Sequence, residues 1–326
     1  MKAIQVTEFG GPEKLVFTDV EDVEAGKGEV CVRLFAAGVN PADAYTLTGT
    51  YATVPQLPYI PGVDGAGIVE AIGEEVSNVR VGDRVFIASF KGRYHSGTFA
   101  QKVVCDQTIV HPLPEHVSFE QGAALGIPAL TAYRALFQRA SVKPGQTVLI
   151  HGASGGVGLQ AVQMAKSHGA KVIGTASKPE GKRLVEQAGA DVVIDHVTEA
   201  TINETLALTD GKGPDVIIEF LANVNLETDL KLIAPFGKIV VIGNRGSIEI
   251  NPRLAMQKEC DILGTALWNA RQDEYEQSIH GVIDMLTRGA LRPMIGTILP
   301  LQKASQAFEQ QARGIGNGKI VLSFII

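Results

Sequence analysis

The chain has 326 residues, 45% of them apolar and 20% charged, which is the composition of a globular protein of about two ordinary domains and excludes a disordered chain. No stretch approaches the ~20 unbroken apolar residues of a membrane helix, and the first residues lack the basic region and apolar run of a secretory signal, so a cytoplasmic protein is expected. A formal charge of −6, with no blocks of Lys or Arg, argues against nucleic acid as a partner, and three scattered cysteines, Cys31, Cys105 and Cys260, fit a reducing compartment better than a disulfide framework.

Residues 1–7 alternate like a strand. From there to about residue 125, short β-like runs, among them 29–37, 67–72 and 82–87, alternate with Gly, Pro and Asp. Such spacing predicts a small barrel-like or sandwich β domain. Gly82 and Asp83 turn the chain into Arg84-Val85-Phe86, a buried strand candidate.

From 126 to 266 the pattern changes to strands alternating with helices. Six apolar runs, at 147–151, 171–176, 191–194, 215–219, 238–242 and 261–265, are predicted as strands. Residues 156–168 carry Val157, Ala161, Met164 and Ala165 at helical spacing, and 179–188 form a second helix with Ser177 as cap and Pro179 in its first turn. Strands with helical crossovers give an α/β doubly wound parallel sheet. Residues 267–326 hold helices at 273–288 and 303–313 and a last strand at 319–324. They are too few for a core of their own. The expected domains are therefore 1–125, an inserted 126–266, and 267–326 completing the first.

The strongest motif is His151-Gly152-Ala153-Ser154-Gly155-Gly156-Val157-Gly158, between the first of these strands and its helix. A pyrophosphate is held by backbone N–H groups and the positive end of a helix dipole. Gly155 allows close approach to the phosphates and Gly158 allows the helix to pack on the strand, the logic of a Rossmann dinucleotide site. An NAD site usually carries an Asp or Glu at the end of the second strand, for the ribose 2′-hydroxyl. Here that strand ends Gly174-Thr175-Ala176-Ser177, followed by Lys178, Lys182 and Arg183. These residues suit a 2′-phosphate, so NADPH is the expected cofactor, with Lys178 nearest the strand end; the alternative is a solvated helix face. Zinc needs three or four converging Cys, His, Asp or Glu ligands. Among the seven histidines none pairs with another at helical or hairpin spacing, and the cysteines form no C-x-x-C, so no metal is expected.

Further segments carry a family resemblance over essentially the whole chain: Gly38-Val39-Asn40-Pro41, Gly49-Thr50-Tyr51, Pro58-Tyr59-Ile60-Pro61-Gly62, Gly126-Ile127-Pro128, Thr131-Ala132-Tyr133-Arg134-Ala135-Leu136, Leu221-Ala222-Asn223-Val224-Asn225-Leu226 and Arg245-Gly246-Ser247-Ile248-Glu249-Ile250-Asn251-Pro252-Arg253, with the glycine loop. The chain resembles the medium-chain dehydrogenase/reductase superfamily in its zinc-free, zeta-crystallin-like quinone oxidoreductase branch. The resemblance implies a GroES-like β-rich catalytic domain with the Rossmann domain inserted in it. The superfamily's zinc enzymes carry a ligand Cys where this chain has Asn40, and Gly-His-Glu where it has Gly62-Val63-Asp64.

By the same resemblance Tyr51 lies beside the nicotinamide, and Thr131 contacts the cofactor. Ser154, Gly155, Gly156 and Val157 hold the pyrophosphate. Ser177 and Lys178 lie by the 2′-phosphate, and His196 is near the adenosine end. Asn225 with Ile242, Gly243, Asn244 and Arg245 lines the nicotinamide side, which Thr265, Ala266 and Leu267 close. Asn40 and Tyr45 face the substrate. Trp268 and the basic loop Lys91-Gly92-Arg93-Tyr94-His95 depart from the family pattern. Structural alternatives stand beside four of these roles. Tyr51 can be a loop anchor packed under Pro55 and Pro58, and His196 can cap the next helix. Asn40 can satisfy turn backbone, and Asn225 can be a helix N-cap.

The implied reaction is reduction of a quinone by NADPH without a metal. The product oxygen has a conjugate acid near pKa ~10, like a phenol, so water can supply its proton. A hydrogen bond from Asn40 or Tyr45 would assist, and ring positioning would supply most of the rate. Reduction of an α,β-unsaturated aldehyde, ketone or thioester is the enzymatic alternative; a crystallin-like or RNA-binding role is the non-enzymatic one. A homodimer or homotetramer, paired through the last strand of the parallel sheet, is also expected.

Overall fold

The computed structural model describes residues 1–51, 54–89, 97–196, 199–314 and 316–324. The chain divides into two compact units, Met1–Pro128 with Pro293–Ile326, and Ala129–Arg292.

In the first unit, β1 (Lys2–Gln5) and β2 (Val16–Asp19) form an antiparallel hairpin. The strands β3 (Glu29–Gly38), β4 (Asp64–Ile72), β5 (Arg84–Ile87), β6 (Lys102–Asp106) and β7 (Val110–Pro112) follow. β3 pairs along its length with β4 and with β6 at its first residues. β3 is buried at most positions on both of its faces and is accordingly apolar almost throughout, Glu29 and Arg33 excepted. Two register shifts bend it, between Cys31 and Val32 and between Leu34 and Ala36.

The second unit is built on β8 (Thr147–Ile150), β9 (Lys171–Thr175), β10 (Val192–Ile194), β11 (Val216–Glu219), β12 (Lys238–Val241) and β13 (Asp261–Gly264). These pair in parallel in the order β10-β9-β8-β11-β12-β13. The order reverses between β8 and β11, and ligands of such sheets bind outside the carboxyl ends of the strands at that switch point. Leu149, Ile173, Ile217, Leu230 and Ile239 are buried in its core. Each contributes roughly 1.5–3 kcal/mol relative to exposure.

The chain then returns to the first unit with β14 (Ile295–Pro300) and β15 (Lys319–Ser323), completing a seven-stranded sheet. Its path runs β14-β15-β3-β4-β5-β7, with β6 on β3. One core of this unit joins Ile4, Val39, Tyr59 and Phe99 to Phe308 of the helix Ala304–Ala312. Phe99 and Phe308 meet edge to face, 6.1 Å between centroids.

Two expectations need correction. The helix Gln272–Thr287 belongs with the parallel sheet, not with the first unit. Its Glu274 binds Arg134 at 2.8 Å, and Gln138 donates to Glu274 O and Ser278 Oγ. These side-chain bonds anchor the helix to the residues that open the second unit. The helix Pro179–Gln187 is preceded by Lys178 as N-cap, not by Ser177. Pro179 takes the first helical position, where its missing N–H costs nothing, and this fixes the cap one residue back.

Candidate functional site

The carboxyl end of β8 runs into the glycine loop and the helix Gly156–Ser167. A Cβ on Gly158 would come within 2.7 Å of Ala153 Cα, so only glycine permits this packing. A Cβ on Gly155 would meet nothing of the chain closer than Gly152 O at 3.5 Å. Gly158 is thus demanded by the fold, while Gly155 leaves an open cradle. No side chain caps this helix, so its first-turn N–H groups and dipole are available to an anion. Ser154, Gly155, Gly156 and Val157 are partly exposed at the loop. The geometry fits the pyrophosphate of a dinucleotide.

Thr175, at the end of β9, ties the loop to its neighbours. Its Oγ1 accepts from Gly152 N–H at 3.0 Å and lies 3.1 Å from His196 Nδ1. Burial, then the nearby His151, holds the His196 imidazole below its usual value, against the charge of Asp195. Ser177 and Lys178 are exposed just beyond β9. Lys182 pairs with Asp195 at 2.9 Å and Arg183 with Glu180 at 3.4 Å, so both cations of this helix face named beside Lys178 are engaged by carboxylates.

At the carboxyl end of β11 stands Glu219, which sequence reasoning missed. Its Oε1 accepts from Leu221 N–H and, at 3.2 Å, from Asn225 Nδ2. Its main-chain oxygen accepts from Ile242 N–H at 2.8 Å. Ala222 N–H donates to Gly243 O, and Asn223 Oδ1 accepts from Arg245 N–H at 2.8 Å. The segments around Asn225 and around Ile242, Gly243, Asn244 and Arg245 are thereby locked together. Asn225 is not the N-cap of its helix, Ala222–Leu232; Leu221 is. Thr265 N–H joins the same edge through Val241 O at 3.0 Å, and a short 3₁₀ turn Leu267–Asn269 follows Ala266. Thr131 is buried in the helix Gly126–Tyr133.

Glu219 also converges with His151 and Asp229, all three buried, with one nitrogen and two oxygens within 4.8 Å of one another. His151 Nε2 lies 2.8 Å from Asp229 Oδ1 and 3.7 Å from Glu219 Oε2. No histidine or carboxylate spacing signals this triad. The visible clue is a carboxylate closing the otherwise apolar run of β11.

In the first unit Asn40 caps the helix Pro41–Leu47, which carries Tyr45. The expectation that Asn40 faces the substrate is not met by its surroundings. It is 1% exposed, its Nδ2 donates to Asp64 Oδ2 at 2.8 Å, and its Oδ1 accepts from Lys319 Nζ. Its N–H donates to Asp43 Oδ2 at 2.8 Å. Asp64 further accepts from Ile127 N–H at 2.9 Å, and a Cβ on Gly126 would fall 2.0 Å from Asp64 Oδ1. Burial pushes the Asp64 carboxyl up and the Lys319 ammonium down, while each one's opposite charge resists. Asn40, Asp43, Asp64 and Lys319 are thus a buried polar cluster that fixes the Tyr45 helix. Tyr45 itself is 40% exposed, and its ring stacks on Tyr51, 6.3 Å between centroids and 19° between planes. Trp268 is exposed; the 91–95 loop lies outside the described residues.

Residues 156–284 match the family described as zinc-binding dehydrogenase, and residues 26–115 the alcohol dehydrogenase GroES-like domain. The positions where the superfamily's zinc enzymes carry ligands hold other chemistry here. Where a ligand set would stand, Asn40 and Asp64 are already engaged by the Lys319 ammonium, and the neighbouring Val63 offers no ligand atom. Over 325 residues the chain is 46% identical to a quinone oxidoreductase of Rattus norvegicus, covering 99% of this chain and 97% of that one. A quinone oxidoreductase structure from Pseudomonas syringae pv. Tomato DC3000 superposes with a TM-score of 0.87 at 36% identity, covering 99% of each chain. A mycobacterial structure complexed with NADPH gives 0.88 at 29% identity, covering 99% of this chain and 100% of that one.

Proposed function

We propose that this chain, which belongs to the quinone oxidoreductase family, uses NADPH to reduce a quinone without a metal. The observation that carries the cofactor reading is the uncapped glycine-loop helix, with Ser177 and Lys178, and no carboxylate, at the end of β9. Bound NADPH supplies the hydride; the chain's residues bind, orient and exclude. Ser154 to Val157 hold the pyrophosphate, Ser177 and Lys178 the 2′-phosphate, and His196 the adenosine end. Thr131, Asn225, the segment 242–245 and residues 265–267 surround the nicotinamide side. Tyr51, stacked on Tyr45, orients the ring, and the Tyr45 hydroxyl donates to the quinone oxygen. Asn40 acts one step back, through the helix that bears Tyr45.

A reading as a homodimer or homotetramer draws support from β13, an edge strand with Ile262 42% exposed. Among the described residues no helix is long and apolar enough to cross a membrane; the cytoplasmic reading rests on the scattered spacing of Cys31, Cys105 and Cys260 in the sequence. The test of the cofactor assignment is binding of NADPH and NADH to wild type and Lys178→Glu by fluorescence titration, with quinone turnover in parallel. NADPH should bind wild type at least about tenfold tighter, about 1.4 kcal/mol, and Lys178→Glu should weaken NADPH selectively. Equal affinity for the two cofactors would refute it.

A further inference from the structure

Resting on the cofactor reading above, we infer that Glu219 is a positioning residue whose buried carboxyl shares a proton with Asp229 and, so neutralised, fixes Asn225 and residues 242–243 beside the glycine loop. Three observations carry this. Glu219, Asp229 and His151 are all within 2% of complete burial. Glu219 Oε2 and Asp229 Oδ2 are both buried oxygens without a hydrogen-bond partner, and one oxygen of each carboxyl lies with a His151 ring nitrogen in a group whose atoms are all within 4.8 Å of one another. Two facing acceptors are satisfied by one proton between them, and an unmatched pair of buried carboxylates would be strongly disfavoured.

The electrostatics of the triad favour the same arrangement. Burial opposes a charged His151, but the Asp229 hydrogen bond and the two acidic neighbours outweigh it and raise the imidazole. Burial, with the Asp229 charge adding to it and His151 opposing, pushes Glu219 up to about 7. Both shifts favour the proton-bearing forms of His151 and Glu219, in the direction that a proton held between the two carboxyls requires. Among the described residues the titratable groups facing Glu219 are His151, from the end of β8, and Asp229, from the helix Ala222–Leu232. Its paired neighbour on β12 is the apolar Val241. A cation could also bridge the triad, but His151 Nε2 is already bonded to Asp229, and Glu219 Oε1 is committed to Leu221 N–H and Asn225.

The consequence is directional. Loss of the shared proton adds negative charge behind the loop that His151 opens, where a pyrophosphate would sit. It also weakens the geometry that holds Asn225. Glu219→Gln keeps a neutral group of the same shape and cannot titrate.

Infrared difference spectroscopy of the cofactor-free protein at mildly acidic pH should show a protonated-carboxyl stretch that wild type has and Glu219→Gln lacks, and that fades as pH rises through about 7. In NADPH titrations the wild-type dissociation constant should rise relative to that of Glu219→Gln above this pH, by at most about tenfold per pH unit. Glu219→Ala should bind NADPH at least about tenfold more weakly than wild type, with Glu219→Gln within about threefold of it below neutrality. Absence of the Glu219-dependent band, or identical pH profiles for wild type and Glu219→Gln, would overturn the inference. So would one equivalent of a divalent metal in the purified protein, lost in Glu219→Gln. If the band is present but wild type binds no NADPH, it is the cofactor reading that fails.

Discussion

Asn40 Nδ2 donates to Asp64 Oδ2 across 2.8 Å in a site from which solvent is excluded, and Lys319 bonds the other end of the same amide. The ammonium lies 3.6 Å from that Asp64 oxygen, both side chains at most 5% exposed. Removing one member of a buried ion pair leaves the other charge uncompensated, which costs far more than the intact pair contributes. Lys319→Met is therefore expected to lower stability by about 3–5 kcal/mol. Adding Asp64→Asn should restore part of that loss, because the charge left behind is removed. Urea unfolding of the single and double variants measures both. A Lys319→Met protein within about 1 kcal/mol of wild type would mean that the cluster is not held by charge.

Stability should fall as pH rises from about 4 to about 7. Burial, aided by the Asp64 charge and opposed by the Asn40 N–H, pushes Asp43 up to about 7; Glu219 is likewise raised to about 7. In the unfolded chain both ionise in the ordinary carboxylate range. Between the two values the folded chain holds protons that the unfolded chain has lost, so raising pH favours unfolding until the folded groups ionise as well. Asp191 works in the opposite sense. Lys166 and the Val172 N–H overcome burial and hold it low, so its contribution disappears only as pH falls below the ordinary range. Urea midpoints of wild type and the Asp43→Asn, Glu219→Gln double variant should diverge across the window, wild type declining and the variant changing less. Parallel curves would contradict the shifts.

The parallel sheet was legible because each strand is a short apolar run bounded by a recognisable helix, and because a glycine loop fixes where the first strand ends. The open glycine loop was legible for the same reason: Gly155 and Gly158 act through local backbone geometry. The two buried polar clusters were not. Asp64 and Lys319 come from distant parts of the chain and meet only when β15 inserts beside β3, and His151, Glu219 and Asp229 come from the turn after β8, from β11 and from the helix Ala222–Leu232. The helix Gln272–Thr287 was placed with the wrong unit because its partners, Arg134 and Gln138, are polar side chains on a helix, which carry no sequence signal of what they bind. Asn40 was legible as special but not in role, since an amide before Pro suits both a cap and a ligand.

Self-association through β13 is the expectation that its edge position among the described residues supports. The strand pairs on one side only, with β12, and Ile262 and Trp268 are 42% and 47% exposed. An unpaired apolar edge invites another strand unless charge or proline blunts it. Ile262→Lys is expected to shift the protein toward monomer in light scattering at micromolar concentration. A wild-type protein that is already monomeric would show that this edge has no partner.

Tyr51 and Tyr45 form the one aromatic pair among the residues assigned to the reaction, ring stacked on ring. Tyr45 is anchored by its helix, whose first residues are held by Asn40 and Asp43. Tyr51 leans on that anchor, following Gly49, which turns the chain at a φ of +70°. If the Tyr51 ring sets the orientation of the nicotinamide, its loss should affect the reaction more than binding, because the phosphates and adenosine make most of the cofactor's contacts. Tyr51→Ala is expected to lower kcat for a quinone by at least about tenfold, about 1.4 kcal/mol of barrier, with a smaller change in the NADPH dissociation constant. Tyr51→Phe should be mild, because the ring does the positioning. Tyr45→Phe separates the second role: it keeps the stack and removes the hydroxyl, so a large loss of kcat there assigns the hydrogen bond to Tyr45. Full turnover in Tyr51→Ala would make Tyr51 a loop anchor and nothing more. Equal damage from Phe and Ala at position 51 would instead move the donor role from Tyr45 to the Tyr51 hydroxyl.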